Sequence, residues 1–240
     1  MDKFFNTFYE YLLKSVPQKS VKLMTCYADF VKLGIKAAYN KQIKTEIKLK
    51  KFDLLYKQIF KHCALKNTII STLQNEFVKE NISLSLLSDM VKAFKQLSEY
   101  NDRNNWDSKL YCYQLFCSPL ARMIMVLNDL NVSVYIPLNS LIMCSVLVSD
   151  VINDSTKNRR TYLSKIAGLL KDAQILPLII KNKYFRFKVW YFVILLNIFT
   201  NKFAKKQPLK LSMFDFGKIL FYACIKWLFT RVRTLKFKGV

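Results

Sequence analysis

The residues whose types and spacing can do chemistry gather in one stretch, PLNSLIMCSVLVSDVINDSTKNRRTYLS, residues 137–164. Asp150 and Asp154 are four positions apart, so in a helix they stand on one face, a turn from each other. Two carboxylates that close repel, and a divalent cation is one reason to keep them. Mg²⁺ takes carboxylate oxygens and grips phosphates through its remaining positions. Lys157, Arg159 and Arg160 follow, then Tyr162: cations and a hydroxyl that suit diphosphate oxygens. The plain alternative is a helix end whose acids and bases face water. Pro137 suits the first turn of the helix that carries them, because its φ is preset and it has no amide to leave unpaired.

Other chemistries lack their parts. The single histidine, His62, and six cysteines without a CxxC pair do not make a zinc site. His62 and Cys63 are neighbours, and neighbours in a helix point about 100° apart, so they do not form a nucleophile pair. No Ser or Thr has a histidine in register for a triad. The cysteines lie mostly in apolar periodic runs, which reads as buried thiols in a reducing compartment.

The elements that must position these residues are helices. Hydrophobic residues make up 52% of the chain, with 4 Gly and 5 Pro, a composition of long helices and short punctuation. Apolar periodicity predicts a helix over 3–14, a second from about Ser20 carrying VKLMTCYADFVKLGIKAAY, a third over 42–61, a fourth over 66–79, and a fifth from Ser83 or Ser85 to Tyr100. Asn105 is the expected N-cap of a helix from Trp106, and Pro119 is expected to interrupt or kink it. Runs such as Lys48-Leu49-Lys50-Lys51 read as a solvated helix face. No alternating period-two run is present, so the expected class is all-α, and 240 residues can bury a core as one domain or two small ones.

Charge points to an anionic partner. Lys and Arg number 39 against 16 acids, a net +23, which suits lipid headgroups, nucleic acid or diphosphates. Residues 181–240 carry 14 basic side chains and one acid, Asp215, a net +13. Within them VWYFVILLNIF, 189–199, spans about 16 Å as a helix, half of a bilayer's hydrocarbon core, so no membrane-crossing helix is expected there. After Pro208, Ser212 and Asp215 make a capping pattern. The helix that follows has Asp215, Lys218, Tyr222 and Lys226 on one face and apolar residues around the rest. It suits either the outer helix of a bundle or a helix in a membrane interface, basic side toward anionic headgroups. No zinc finger, RNA-binding signature or glycine-rich loop supports nucleic-acid recognition. The start, MDKFFNTFYEYLLKS, has acids and no uninterrupted apolar core. The expected location is cytoplasmic, peripheral on the inner membrane face, without a signal peptide or a transmembrane helix.

Several pieces match one family in order. TCYADFVKLGIKAAY resembles the tyrosine-led helix that holds the first aspartate cluster of the squalene/phytoene synthases. CYQLFCSPLARMIMVL resembles their tyrosine-cysteine helix with its Pro-x-Gly-Arg step, here Pro119, Ala121 and Arg122. SDVINDSTKNRRTYLS resembles the second aspartate segment and the Gly-Arg-x-Tyr-Leu-Pro that follows, here Arg159 to Ser164. The resemblance spans nearly the whole chain, 1–240, and is closest to the bacterial squalene-synthase-like branch. It implies a single-domain helical bundle of the trans-prenyl diphosphate synthase type, joining two prenyl diphosphates with Mg²⁺ held between two aspartate clusters. It implies Asp150 and Asp154 as metal ligands, and Arg122, Arg160 and Tyr162 near the diphosphate.

The chain departs from the family at the first cluster, where Gly34, Ile35 and Ala38 stand in place of acids. Asp29 lies about 140° around the helix from Gly34 and does not replace them. The tyrosine-cysteine pair is shifted, as Cys112-Tyr113, and several tens of residues are missing after Tyr162. Three functions follow. One is a non-catalytic relative keeping the bundle as a scaffold, like the family's assembly factor for respiratory complex I, with a membrane protein complex as partner. The second is an active Mg²⁺-dependent prenyl transferase acting on farnesyl-type diphosphates in isoprenoid biosynthesis. The third is an electrostatic binder of membrane or nucleic acid. The missing first cluster weighs against turnover.

Overall fold

The computed structural model describes residues 21–40, 42–60, 68–100, 106–153, 159–208 and 211–236, and among them every regular element is helical. The all-α class expected from periodicity is what forms. The helix expected over 3–14, together with His62, Cys63, Asn105, Asp154 and Lys157, lies outside the described residues.

One compact unit lies within Val16–Asp129. Its helices are α1 (Val21–Ala38), α2 (Thr45–Phe60), α3 (Thr68–Lys79), α4 (Ser85–Tyr100) and α5 (Trp106–Leu127). The stripe Leu23, Met24, Tyr27, Phe30, Val31, Gly34 and Ala38 gives α1 its buried side, which packs on α3 and α4. Helix α4 also packs on α2 and α5. Rings join these helices: Phe30 meets Phe94 edge-on at 5.5 Å, Phe52 lies 5.8 Å from Phe94, and Tyr27 lies 6.2 Å from Phe77. Helix α3 ends at Asn81, in the left-handed region with φ 54°, while Ile82 N–H donates back to Phe77 O at 2.8 Å. Asn tolerates that conformation better than most residues.

Pro119 does not interrupt α5, which runs unbroken from Trp106 to Leu127. Cys117, Leu120, Ala121, Met123 and Ile124 are buried around it, and this packing outweighs the one backbone hydrogen bond that a proline removes.

The second unit lies within Leu130–Val240. It is entered through a turn at Asp129, φ 49°, and a 3₁₀ turn, Val132–Val134, capped by the Asn131 side chain. Its helices are α6 (Tyr135–Asn153), α7 (Arg159–Ala173), the short α8 (Leu176–Ile179), α9 (Lys183–Ala204) and α10 (Met213–Lys236). Helix α6 begins two residues before Pro137, which still falls in the first turn, where no amide partner is needed. Every residue from Ser140 to Ser149 is buried, so α6 is apolar on all sides and central to the unit, packed by α7 and α9. Helix α9 is capped by Asn182, whose Oδ1 accepts from Tyr184 N–H at 3.0 Å and Phe185 N–H at 3.1 Å.

Two stretches, Leu110–Leu127 and Val132–Ser149, are long and apolar enough to cross a bilayer by length and composition alone. The expectation of no transmembrane helix, which rests on the short run 189–199, does not take these two stretches into account. Both are more than half buried inside the protein, the second by 72%, which is also the pattern of a core helix.

Candidate functional site

Gly34, Ile35 and Ala38, where the resemblance leads one to expect acids, sit in the first unit, and their surroundings are set by packing. Gly34 and Ala38 face inward from α1, whereas Asp29 is exposed on another side of the same helix. A Cβ at position 34 would stand 2.1 Å from Phe94 Cε2 and 2.2 Å from its Cζ. A mid-helix glycine costs about 1 kcal/mol against alanine. Here it lets the Phe94 ring of α4 lie against the α1 backbone. Tyr27, which leads the motif, is wholly enclosed beside Phe30 and Phe77, and its hydroxyl has no partner among the described residues. Burial pushes its pKa far up.

The C-terminal end of α1 is closed by a residue that the sequence reading left in solvent. Lys48 is only 6% exposed, and its Nζ donates to Ala38 O at 2.9 Å. An ammonium on a terminal helix carbonyl satisfies an orphan acceptor and complements the negative end of the helix dipole.

The expected diphosphate ligands divide between the units. Arg122 is exposed on α5, with Nη1 3.8 Å from Asp89 Oδ2 on α4; Lys92 also approaches Asp89, at 3.5 Å. Arg160 and Tyr162 belong to the first turn of α7 in the second unit, and they separate: Arg160 is exposed, while Tyr162 is buried with 2% of its surface accessible. Two steps along a helix turn about 200°, so the two side chains leave opposite sides. Asp150 lies in the last turn of α6, and its partner Asp154 is outside the described residues.

A Mg²⁺ ion gripping a diphosphate is held by one or two carboxylates, with phosphate oxygens and waters in its remaining positions. Gly34, Ile35 and Ala38 offer no donor atom, and among the described residues no group of three His, Cys, Asp or Glu side chains gathers. The first of the two expected clusters therefore carries no metal ligand, and Asp154 of the second lies outside the described residues.

A second feature is built at the end of the chain. Asp215 is buried, not displayed on a polar face of α10. Its Oδ2 accepts from Lys202 Nζ at 2.6 Å and from the Ser212 N–H and hydroxyl at 2.8 Å each, and Ser212 Oγ accepts from Asp215 N–H at 3.1 Å. This reciprocal cap is the Ser212–Asp215 pattern read from the sequence, with Lys202 added. Lys202 first, then the Ser212 donors, hold the Asp215 carboxyl down at about 2. From there Asp215, Ile219 and Ala223 form the inward stripe of α10 on α9, and Trp227 Nε1 donates to Lys183 O at 3.1 Å.

The opposite side of α10 is apolar and open. Met213 is 87% exposed, Phe214 71% and Phe221 63%, and Leu220, Cys224 and Leu228 are exposed with them. Lys218 and Tyr222 flank the row and are exposed, with Lys218 Nζ 4.3 Å from the Phe214 ring centre; Lys226 is exposed on the side toward α9, its Nζ 5.6 Å from the Trp190 ring centre. On α9, Arg186 is 9% exposed and has no carboxylate partner among the described residues, its Nε and Nη2 both donating to Ile180 O at 2.8 and 2.5 Å. Burial lowers its pKa. No local pattern announces this cation's burial, which depends on a carbonyl that points back from the α8–α9 connection.

Cys112, Cys117 and Cys144 are buried free thiols, each with its pKa raised by burial, Cys112 to about 11. Such thiols are poor nucleophiles.

Comparison of the chain with protein-family models, with curated proteins and with solved structures finds no match.

Proposed function

We propose that this chain is a squalene/phytoene-synthase-like scaffold that does not transfer prenyl groups. The observation that carries the proposal is the Phe94 ring packed on Gly34. The resemblance assigns acids to that face of α1, and the face instead seats an aromatic core. Ionising an allylic diphosphate requires metal and basic groups gathered on one leaving group. A face filled by Phe30, Phe52 and Phe94 gives such a group no carboxylate to meet. In this proposal the helices are kept for their shape and surface, and the partner is a protein complex at a membrane.

The alternative is a Mg²⁺-dependent prenyl transferase working from Asp150 and Asp154 alone, with Arg160 beside them in sequence. Pyrophosphate release from farnesyl diphosphate, measured with and without Mg²⁺, separates the two. The expected result is no release above that of an Asp150→Asn/Asp154→Asn variant. Release that depends on Mg²⁺ and vanishes in the variant would overturn the scaffold reading.

A further inference from the structure

We infer that the outer face of α10 is a membrane-insertion surface, and that its occupant is an anionic lipid bilayer. The inference does not depend on the family resemblance or on the absence of turnover.

The first observation is continuity. Met213, Phe214, Leu220, Phe221, Cys224 and Leu228 fall within one side of the helix, and all are exposed. From Met213 to Leu228 the helix is about 24 Å long at 1.5 Å per residue. Single exposed apolar residues are ordinary on any protein, whereas a row along four turns is a contact surface. The inward stripe fixes the orientation: Asp215, Ile219 and Ala223 hold α10 to α9, so the apolar row cannot roll inward without breaking the Lys202–Asp215 pair.

The second observation is the sign of the surrounding charge. Among the described residues from Lys181 onward, every exposed charged side chain is basic: Lys181, Lys183, Lys205, Lys206, Lys218 and Lys226. The one acid of this segment, Asp215, is buried and neutralised. The chain order places these lysines at both ends and along a flank of α10. Lys205 and Lys206 precede its start, and Lys183 is joined to its far part through Trp227. This is the arrangement of an interfacial helix, with an apolar side for the acyl boundary and bases whose stems reach up to the headgroups.

Charge also decides among occupants. A second copy of this chain would set lysines against lysines on both flanks, and like charges brought together oppose docking. Phosphate headgroups neutralise all of them at once, and each lysine near an anionic surface adds to binding.

The test is flotation of the full chain with vesicles of phosphatidylcholine containing phosphatidylglycerol, against vesicles of phosphatidylcholine alone. The protein is expected to float with the anionic vesicles and to be released by salt, since screening weakens the lysine contribution. Phe214→Ser/Phe221→Ser is expected to lower partition by about tenfold or more, from the loss of two inserted rings. Lys218→Gln/Lys226→Gln is expected to lower it by about fivefold per lysine. Val132→Ser, an equally exposed apolar site off this face, is expected to leave partition unchanged. Circular dichroism confirms that each variant folds; all four substituted side chains on α10 are exposed, and of them Lys226 alone has its charge over a buried ring, that of Trp190. No flotation with anionic vesicles would overturn the inference and leave the face to an acidic protein partner. Flotation that the phenylalanine variant does not weaken would overturn it too. So would a concentration-dependent dimer in sedimentation velocity that this variant dissolves.

Discussion

The two units handle the same kind of side chain in opposite ways. In the first, the rings of Tyr27, Phe30, Phe52, Phe77 and Phe94 are enclosed, and the exposed large apolar residues come at most two to a helix: Val21 and Leu33 on α1, Ile47 and Leu54 on α2, Val78 on α3, Tyr111 and Val126 on α5. In the second, α6 is enclosed on every side while α10 carries a continuous exposed row. A large aromatic content is therefore uninformative in itself. What marks a surface for contact is exposure that persists along one helix with charges of one sign beside it.

The sharpest way to break this comparison is to put an acid back into the closed unit. Gly34→Asp would drive a carboxylate into the Phe94 ring, adding steric overlap to the burial of a charge, and is expected to cost about 3 kcal/mol or more in urea unfolding. A stable Gly34→Asp protein that binds Mg²⁺ would mean that the face is not closed. The next effect concerns the anchor of the open unit. The Asp215 carboxyl is depressed to about 2, below its usual value near 4, so its contribution to stability is present above about pH 4 and is lost as the pH falls toward 2. Protection factors of the α10 amides, corrected for the intrinsic exchange rate, are expected to fall in that window, and Asp215→Asn is expected to remove the pH dependence while loosening α10 at neutral pH. A smaller effect is expected for Lys48→Met, which keeps the buried stem but deletes the ammonium on Ala38 O. It should cost about 1–2 kcal/mol, read in the same urea titration. The smallest is a gain. Lys206 closes α9 in the left-handed region, φ 57°, with Gln207 N–H on Lys202 O at 2.9 Å, and Lys206→Gly is expected to stabilise by about 1 kcal/mol in thermal unfolding.

The helices were legible because their signal is local. Apolar period predicted α1 to α4, and the start of α5, to within a few residues, and the Ser212–Asp215 cap formed as read. What the sequence hid was set by residues far apart in the chain. Gly34 reads as an acidic motif worn away, but its neighbour in space is Phe94, which no local pattern announces. Lys48 reads as one of a solvated run until Ala38 O is found above it. Asp215 was placed on a polar face because the helical wheel cannot show that Lys202 comes to meet it. Pro119 was read by its backbone cost alone, without the packing that offsets it. Of the diphosphate ligands, spacing put Arg160 and Tyr162 side by side in sequence, and helical geometry sent one outward and the other inward.

The enclosure of α6 has a consequence for the chain as it is made. Its covering helices α7 and α9 are both encoded downstream, and α9 is complete only at Ala204, about 50 residues after α6 ends. At roughly 5–20 residues per second, the ribosome holds an all-round apolar helix uncovered for about 3–10 s. Ser140–Ser149 is thus the stretch on which a nascent-chain chaperone should be found, and truncations that end before α9 should aggregate during synthesis.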